Sequence, residues 1–407
     1  MKLSPAAKKA VFIGTLCSVS YLAVYFARNI LGAVQPQMLE TGSFNEKYFG
    51  SLSSVYFISY AIGQLINGAI GDKIKARYMI SLGLLFAGIT NVVFSFVAFN
   101  ATLGTLVYAM TGFFLAMIYG PMTKVVAENT EPVYATRCSL GYTFASFFGS
   151  PLAGLTAAIM TWQSVFVASS VALGAMAAAC FFVFLIFEKR GLIKYHQFDR
   201  KKTGRGLGEF KETVKVLYRY RIVKFSFISI LTGVVRTAVV FWLPTYISQY
   251  LQFSADKAAV IYTVATLFIS TTTFITVFVY ERLRKNMDKT ILLMFSLSAS
   301  FFLLVYLFKI PVLNVIFIVL AIMSCNGAAT MLWSRYCPSL RDTGMVSGAT
   351  GFLDFLSYMA AAASSSIFAN AVGTLGWGNL ILVWMGLMVL GIIVALPYKR
   401  NQASLAE

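Results

Sequence analysis

The chain has 407 residues, 58% of them hydrophobic and 12% charged, with a mean hydropathy of +0.76; soluble globular domains do not reach that value. The formal net charge is +18, but no basic face clustered on a soluble module can be read, which argues against a nucleic-acid reader. The composition is that of a polytopic membrane protein.

Twelve apolar stretches of bilayer length follow in chain order, at roughly 10–34, 48–70, 78–99, 102–127, 139–160, 162–187, 222–247, 257–280, 290–308, 311–334, 345–371 and 377–397. The opening MKLSPAAKKAVFIGTL has a basic start, but the apolar run behind it is too long for a secretory core and has no small-residue cleavage pattern. It reads as an uncleaved first span. Of the 33 Lys and Arg, 28 fall in the segments 1–9, 71–77, 124–137, 188–224, 281–289, 335–342 and 398–407, against Lys47, Lys257 and Lys309 on the other side. This bias predicts a multi-pass protein of the plasma (inner) membrane with both termini cytoplasmic. The polar stretch 188–220 separates an N-terminal six-helix half, 1–187, from a C-terminal half, 221–407. Within the stretch Leu207, Phe210, Val214 and Leu217 recur at helical spacing, as in a helix lying on an anionic leaflet, although a linker role is sufficient.

The two remaining basic residues, Arg28 and Arg236, lie inside spans, and Asp354 is the sole acid read deep in one. Ionisable groups there are costly and mark function by default. In the first span Tyr21, Tyr25 and Arg28 recur at i, i+4 and i+7, so two phenols and a guanidinium share a face. A guanidinium offers paired donors to phosphate or carboxylate oxygens, and phenols add donors without charge; simple packing is the competing role for the tyrosines. Tyr56, Tyr60, Gln64 and Asn67 form a polar stripe on the second span, suited to inter-helix hydrogen bonds as well as to substrate. In the fourth, Tyr119 precedes the break Gly120-Pro121, which would free backbone groups beside a cavity, and Lys124 reads as a snorkelling residue. Asn326 in the tenth span joins the candidate lining. In the eleventh, Asp354 and Tyr358 are one turn apart in a run rich in Gly and Ala. Asp354 is open to four roles: proton carrier, counter-ion of Arg236, contact for a cationic substrate group, or an acid capped by hydroxyls.

The halves repeat. Arg28 and Arg236 each precede a proline, Pro36 and Pro244, by eight residues, and an acid followed by basic residues recurs after the second span of each half, at 71–77 and at 281–285. The segment Gly68-x-x-Gly71-Asp72-Lys73-x-x-Ala76-Arg77 resembles the signature of the major facilitator superfamily. That resemblance implies an all-α fold of two pseudo-symmetric six-helix halves, with both arginines facing one cavity. Asp72, Lys73, Arg77, Glu281 and Arg282 would then form a cytoplasmic latch that breaks as the halves rock.

Further residues narrow the resemblance. Tyr25-x-x-Arg28, Tyr60-Ala61-Ile62-Gly63-Gln64-x-x-x-Gly68, Arg236 with Trp242, Pro244, Thr245 and Tyr246, and Gly351-Phe352 through Gly376-Trp377 are similar to the organophosphate:phosphate antiporters, which include glycerol-3-phosphate and hexose-phosphate transporters. The resemblance implies that Arg28 and Arg236 clamp phosphate while Tyr21, Tyr25 and Tyr358 line the pocket. Departures accompany it: Gln64 stands where well-known members have lysine, Ala145 where they have histidine, and Gly233 where glycerol-phosphate transporters have tyrosine. With Asp354 added, the cavity is less positive, which points to a phosphate or phosphonate ester whose other end is larger or carries an amine.

The expected function is therefore exchange of an organophosphate for inorganic phosphate, by a monomer embedded in lipid and without a cofactor. A proton-coupled organic-anion symporter and a transporter-like sugar-phosphate sensor are the alternatives. The five cysteines and the single histidine show no metal-ligand spacing, and no nucleophile or phosphate-cradling loop suggests an enzyme.

Overall fold

The computed structural model describes residues 4–71, 74–194, 220–340 and 346–396, all in helices and short connections. Helices suit these sequences because only intra-segment hydrogen bonding satisfies a backbone in hydrocarbon. Polar caps mark several starts. Ser4 accepts from the Ala7 amide at 3.1 Å ahead of Pro5, Asn100 accepts from Leu103 at 3.1 Å, and Asn286 from Lys289 at 2.9 Å.

The first span is the 36-residue helix Pro5–Glu40, and the second and third are Glu46–Gly71 and Ala76–Val97. The fourth is broken into Ala101–Leu115 and Tyr119–Asn129, so the interruption precedes Gly120-Pro121 instead of falling on it. Proline is tolerated in the first turn of the second piece, where its missing N–H has no helical partner to lose. Pro132–Ile159 and Trp162–Lys189 are the fifth and sixth. The seventh runs from Ile222 to Gln249 through a π-helical turn at Val234–Val239, and the eighth is interrupted at Thr271 between Ala255–Ser270 and Thr272–Arg282. Met287–Leu307 and Pro311–Met331 are the ninth and tenth, the tenth ending in a second π-turn at Leu332–Tyr336. The eleventh and twelfth expected spans are joined without a loop in Val346–Ala395, which turns at Gly376 with φ 74° and ψ 165°, a backbone conformation open to glycine and little else. All twelve expected spans are helical. Residues 195–219, with the expected surface helix, lie outside the described residues, as do Asp72 and Lys73.

The chain forms two compact units that cut across the sequence halves. The first holds residues 1–206, 237–270 and 358–377; the second holds 207–236, 271–357 and 378–407. In the first unit the fifth helix lies close on the first at Gly149, where any side chain would collide with Tyr25. Asn91 of the third helix donates to Ser169 of the sixth at 3.2 Å. A polar seam ties the second helix to 237–270 and 358–377. Gln249 Nε2 donates to Glu46 Oε1 at 2.6 Å, and the Trp377 indole donates to Gln249 Oε1 at 3.1 Å. Ser54 donates to the Ala362 carbonyl and lies 2.7 Å from the Ser366 hydroxyl, while the Ala255 amide donates to Glu40 of the first helix at 3.1 Å. In the second unit Ser298 donates to the Ala321 carbonyl at 2.8 Å, and Lys224 bonds both Asp288, at 2.9 Å, and the Ala395 carbonyl, at 3.0 Å.

Candidate functional site

Arg28 lies in the first unit among aromatic rings. Its Nη1 donates to the Tyr358 hydroxyl at 2.7 Å, and its guanidinium carbon lies 5.3 Å from the Tyr25 ring centre, 5.1 Å from Tyr60 and 4.8 Å from Tyr358. Among the described residues no carboxylate pairs with it. Ring quadrupoles, each worth about 0.5–2 kcal/mol, and one phenol oxygen, worth about 1.5–3 kcal/mol, therefore stabilise the charge, with no formal negative charge supplied among the described residues. The cage is extended by Tyr21, 4.9 Å from Tyr25 and 5.5 Å from Tyr119, and by Tyr56, 6.2 Å from Tyr60. The i, i+4, i+7 face expected from the sequence thus gathers Tyr21, Tyr25 and Arg28 with Tyr119 and Tyr358. Tyr119 is 40% exposed, and the Tyr56 hydroxyl is buried without a hydrogen-bond partner among the described residues. Gln64 on the same stripe is half-buried, and Asn67 reaches the Phe113 carbonyl at 3.5 Å, an inter-helix role.

Arg236 lies in the second unit, inside the π-turn Val234–Val239. Such wide turns are rare and recur at functional sites because they re-aim a side chain. Its Nη2 is 4.0 Å from Asp354 Oδ1, with 33% and 27% of the two side chains exposed, and its guanidinium carbon is 5.8 Å from the Trp333 ring. Asp354 is therefore a counter-ion of Arg236, one of the four roles open to it. At 4.0 Å opposite unit charges attract by about 4 kcal/mol at an effective dielectric of 20, and an added anion beside Asp354 meets repulsion of the same order; partial exposure lowers both. Asn326 of the tenth helix has its Oδ1 buried without a partner among the described residues.

The structure gives the departure at Gly233 a physical reason. A Cβ there would lie 2.6 Å from the Ser357 carbonyl oxygen and 2.8 Å from its Cα. One turn earlier, Ser229 donates to the Leu353 carbonyl at 2.6 Å. The seventh and eleventh helices are in backbone contact, and a tyrosine at 233 would force them apart.

Of the expected latch, Arg77 is buried and lies 3.2 Å from Glu188, with Lys75 at 3.8 Å from the same carboxylate. Glu188, read from the sequence as the start of a linker, closes the sixth helix as the partner of Arg77. Arg282 packs over Phe278 at 5.2 Å, and Glu281 is beside it at the end of the eighth helix. Sequence reasoning missed Glu188, the Asp288 cluster with Arg221 at 3.1 Å and Lys224 at 2.9 Å, and the residues of the seam. It also missed Glu128, near the end of the fourth helix, whose carboxylate oxygens are buried without a partner among the described residues. Their polar side chains lie at span ends, where sequence alone reads them as loop landmarks.

Comparisons with known proteins agree with this architecture. Two solved structures share the fold: a D-xylose-proton symporter, 13% identical with a TM-score of 0.73 over 97% of this chain and 98% of that one, and a bacterial homologue of the human lysosomal transporter Spinster, 11% identical with a TM-score of 0.74 over 97% of each. Among curated proteins, the phosphoglycerate transporter protein of Salmonella typhimurium is 24% identical over 97% of this chain and 89% of its own length. The glycerol-3-phosphate transporter of Bacillus subtilis is 26% identical over 61% and 59%. The membrane sensor protein UhpC of Salmonella typhimurium is 28% identical over 24% of this chain, a match that spans 22% of the sensor's length. Residues 17–365 match the family model for the Major Facilitator Superfamily, and the chain belongs to that superfamily.

Proposed function

We propose that the protein is a secondary transporter that exchanges an organophosphate for inorganic phosphate by alternating access, with Arg28 and Arg236 acting together on the phosphoryl group. The observation that carries this reading is Arg28, an intramembrane guanidinium whose partners are a phenol and three ring faces. A cation so placed, without a carboxylate among the described residues, suits an anion that arrives and leaves. The matching position of Arg236 in the repeat, and relatives named as phosphoglycerate and glycerol-3-phosphate transporters, support phosphate as the shared chemistry.

Exchange also meets the electrical cost. Moving one charge against a membrane potential takes about 2.3 kcal/mol per 100 mV, so inward movement of a divalent ester alone is strongly opposed, and return of phosphate cancels most of that opposition. The seam of Glu46, Gln249 and Trp377 with Ser54, Ala362 and Ser366 is the contact that parts when the site opens on that side, and Arg77 with Glu188 belongs to the latch at the other end. The Lys and Arg bias supports a cytoplasmic side of the inner membrane for that latch and for both termini. A sensor reading has one specific support, the partial match to UhpC.

Proteoliposomes loaded with phosphate test the proposal. Counterflow of labelled phosphate or phosphate esters is expected in the wild type, a sensor gives none, and a symporter requires a pH gradient. Arg28→Lys and Arg236→Lys keep the charge but lose the paired donors, and each is expected to reduce exchange at least a hundredfold. Exchange near the wild-type rate in either variant refutes the two-arginine clamp.

A further inference from the structure

We infer that the transported substrate carries its own cation beside the phosphoryl or phosphonyl group, and that Asp354 receives it. The inference rests on the phosphate-exchange reading and specifies its substrate as a zwitterion with a primary or methylated amine.

Three features of the second unit point this way. The first is the Arg236–Asp354 pair, at 4.0 Å. That exceeds the reach of a hydrogen bond, so the two charges are adjacent without being locked together in a fork. With 33% and 27% of their side chains exposed, both are accessible to a ligand. Next comes Trp333, whose ring lies 5.8 Å from the Arg236 guanidinium carbon; indole is the side chain whose face best holds a cation. The last is Gly233, which keeps the seventh helix against the eleventh at Ser357, so that Arg236 and Asp354 are presented as one unit of adjacent opposite charge.

Charge complementarity then selects the ligand. An anion that approaches Arg236 also approaches Asp354, and a purely anionic ester leaves that repulsion uncompensated. A zwitterion whose amine is two or three atoms from phosphorus replaces one ion pair with two: its oxygens take Arg236 and its ammonium takes Asp354. The net negative charge brought to this part of the protein is smaller by one than for the same ester without the amine. The combination of one guanidinium with a carboxylate and an indole face suits such a molecule better than it suits an ester that carries no cation.

The test compares ligands that differ only in the amine. In phosphate-loaded proteoliposomes, 2-aminoethylphosphonate and phosphoethanolamine are set against propylphosphonate and propyl phosphate as inhibitors of phosphate exchange. Binding of the same four to the purified protein is measured by calorimetry. The amines are expected to act at concentrations at least tenfold lower, equivalent to about 1.4 kcal/mol. Asp354→Asn should shrink that preference below threefold, and Asp354→Glu should retain it. Equal potency of the four in the wild type overturns the inference whether or not the variants fold. An advantage of the amine-free esters that grows on acidification and vanishes in Asp354→Asn also overturns it, by making Asp354 a proton carrier. Absence of phosphate exchange with a retained amine preference in binding refutes only the exchange reading. Exchange without amine preference refutes only this inference.

Discussion

Replacing Gln249 by leucine should unfasten one end of the seam. Gln249 accepts from the Trp377 indole at 3.1 Å and donates to the Glu46 carboxylate at 2.6 Å. A hydrogen bond to a charged group contributes about 1.5–3 kcal/mol and a neutral one about 0.5–1.5, so their loss together weakens the closed seam by about 2–4 kcal/mol. At 1.4 kcal/mol per factor of ten, the open arrangement gains roughly 30- to 1,000-fold in relative population. The readout is a cysteine at Ala362, which is 1% exposed and whose carbonyl accepts from Ser54. The five native cysteines are all buried and provide the background. With a membrane-impermeant maleimide, Ala362→Cys should react slowly in an otherwise unchanged protein and at least tenfold faster when Gln249→Leu is added. Thr41→Cys, at an exposed helix end, should react at the same rate in both. If the Ala362→Cys rate is unmoved by Gln249→Leu, Glu46→Gln and Ser54→Ala alike, the seam does not hold that side closed and the reasoning fails.

Other expectations concern stability. Gly233→Ala places a methyl group against the Ser357 backbone and should cost about 1–3 kcal/mol through overpacking, seen as a lower unfolding temperature in detergent; Gly233→Tyr should fail to accumulate in the membrane. Glu188→Gln leaves Arg77 buried without its counter-ion and should cost about 3–5 kcal/mol, whereas replacing both residues by methionine should recover most of that loss in the same melting assay. Asp288→Asn removes a partner from both Lys224 and Arg221. Because Arg221 is exposed, most of the effect should come from Lys224, and Lys224→Met in the same background should restore the melting temperature.

The fold was legible because membrane insertion writes itself into sequence as apolar length, and the repeat of Arg28 and Arg236 marked the costly charges. The aromatic neighbours of Arg28 were legible in part: Tyr21 and Tyr25 follow from helical spacing, and Tyr358 from the resemblance. The role of Asp354 was not, because four chemistries fit a lone acid and the 4.0 Å approach to Arg236 is visible only in three dimensions. The π-turns were equally hidden. They arise where tertiary packing overrides the ordinary i to i+4 ladder, and Val234 to Val239 carries no composition that announces it. Glu188 and Gln249 were missed for a different reason, since each takes its meaning from a partner far away in sequence.

The wide turn at Val234–Val239 has a consequence for symmetry. Arg28 and Arg236 hold equivalent places in the sequence repeat, each eight residues before a proline, but Arg28 stands on regular helix and Arg236 on a turn with one residue to spare. Each residue of an α-helix rotates direction by about 100°, so the surplus offsets everything beyond it from strict duplication. In the proposed clamp the two arginines would therefore be unequal readers of a ligand. Arg28 is held by rings and a phenol, while Arg236 sits on a π-turn beside a carboxylate. In that proposal one would serve as an anvil and the other as an adjustable jaw, and a change at the wide turn would alter one grip while the other keeps its form.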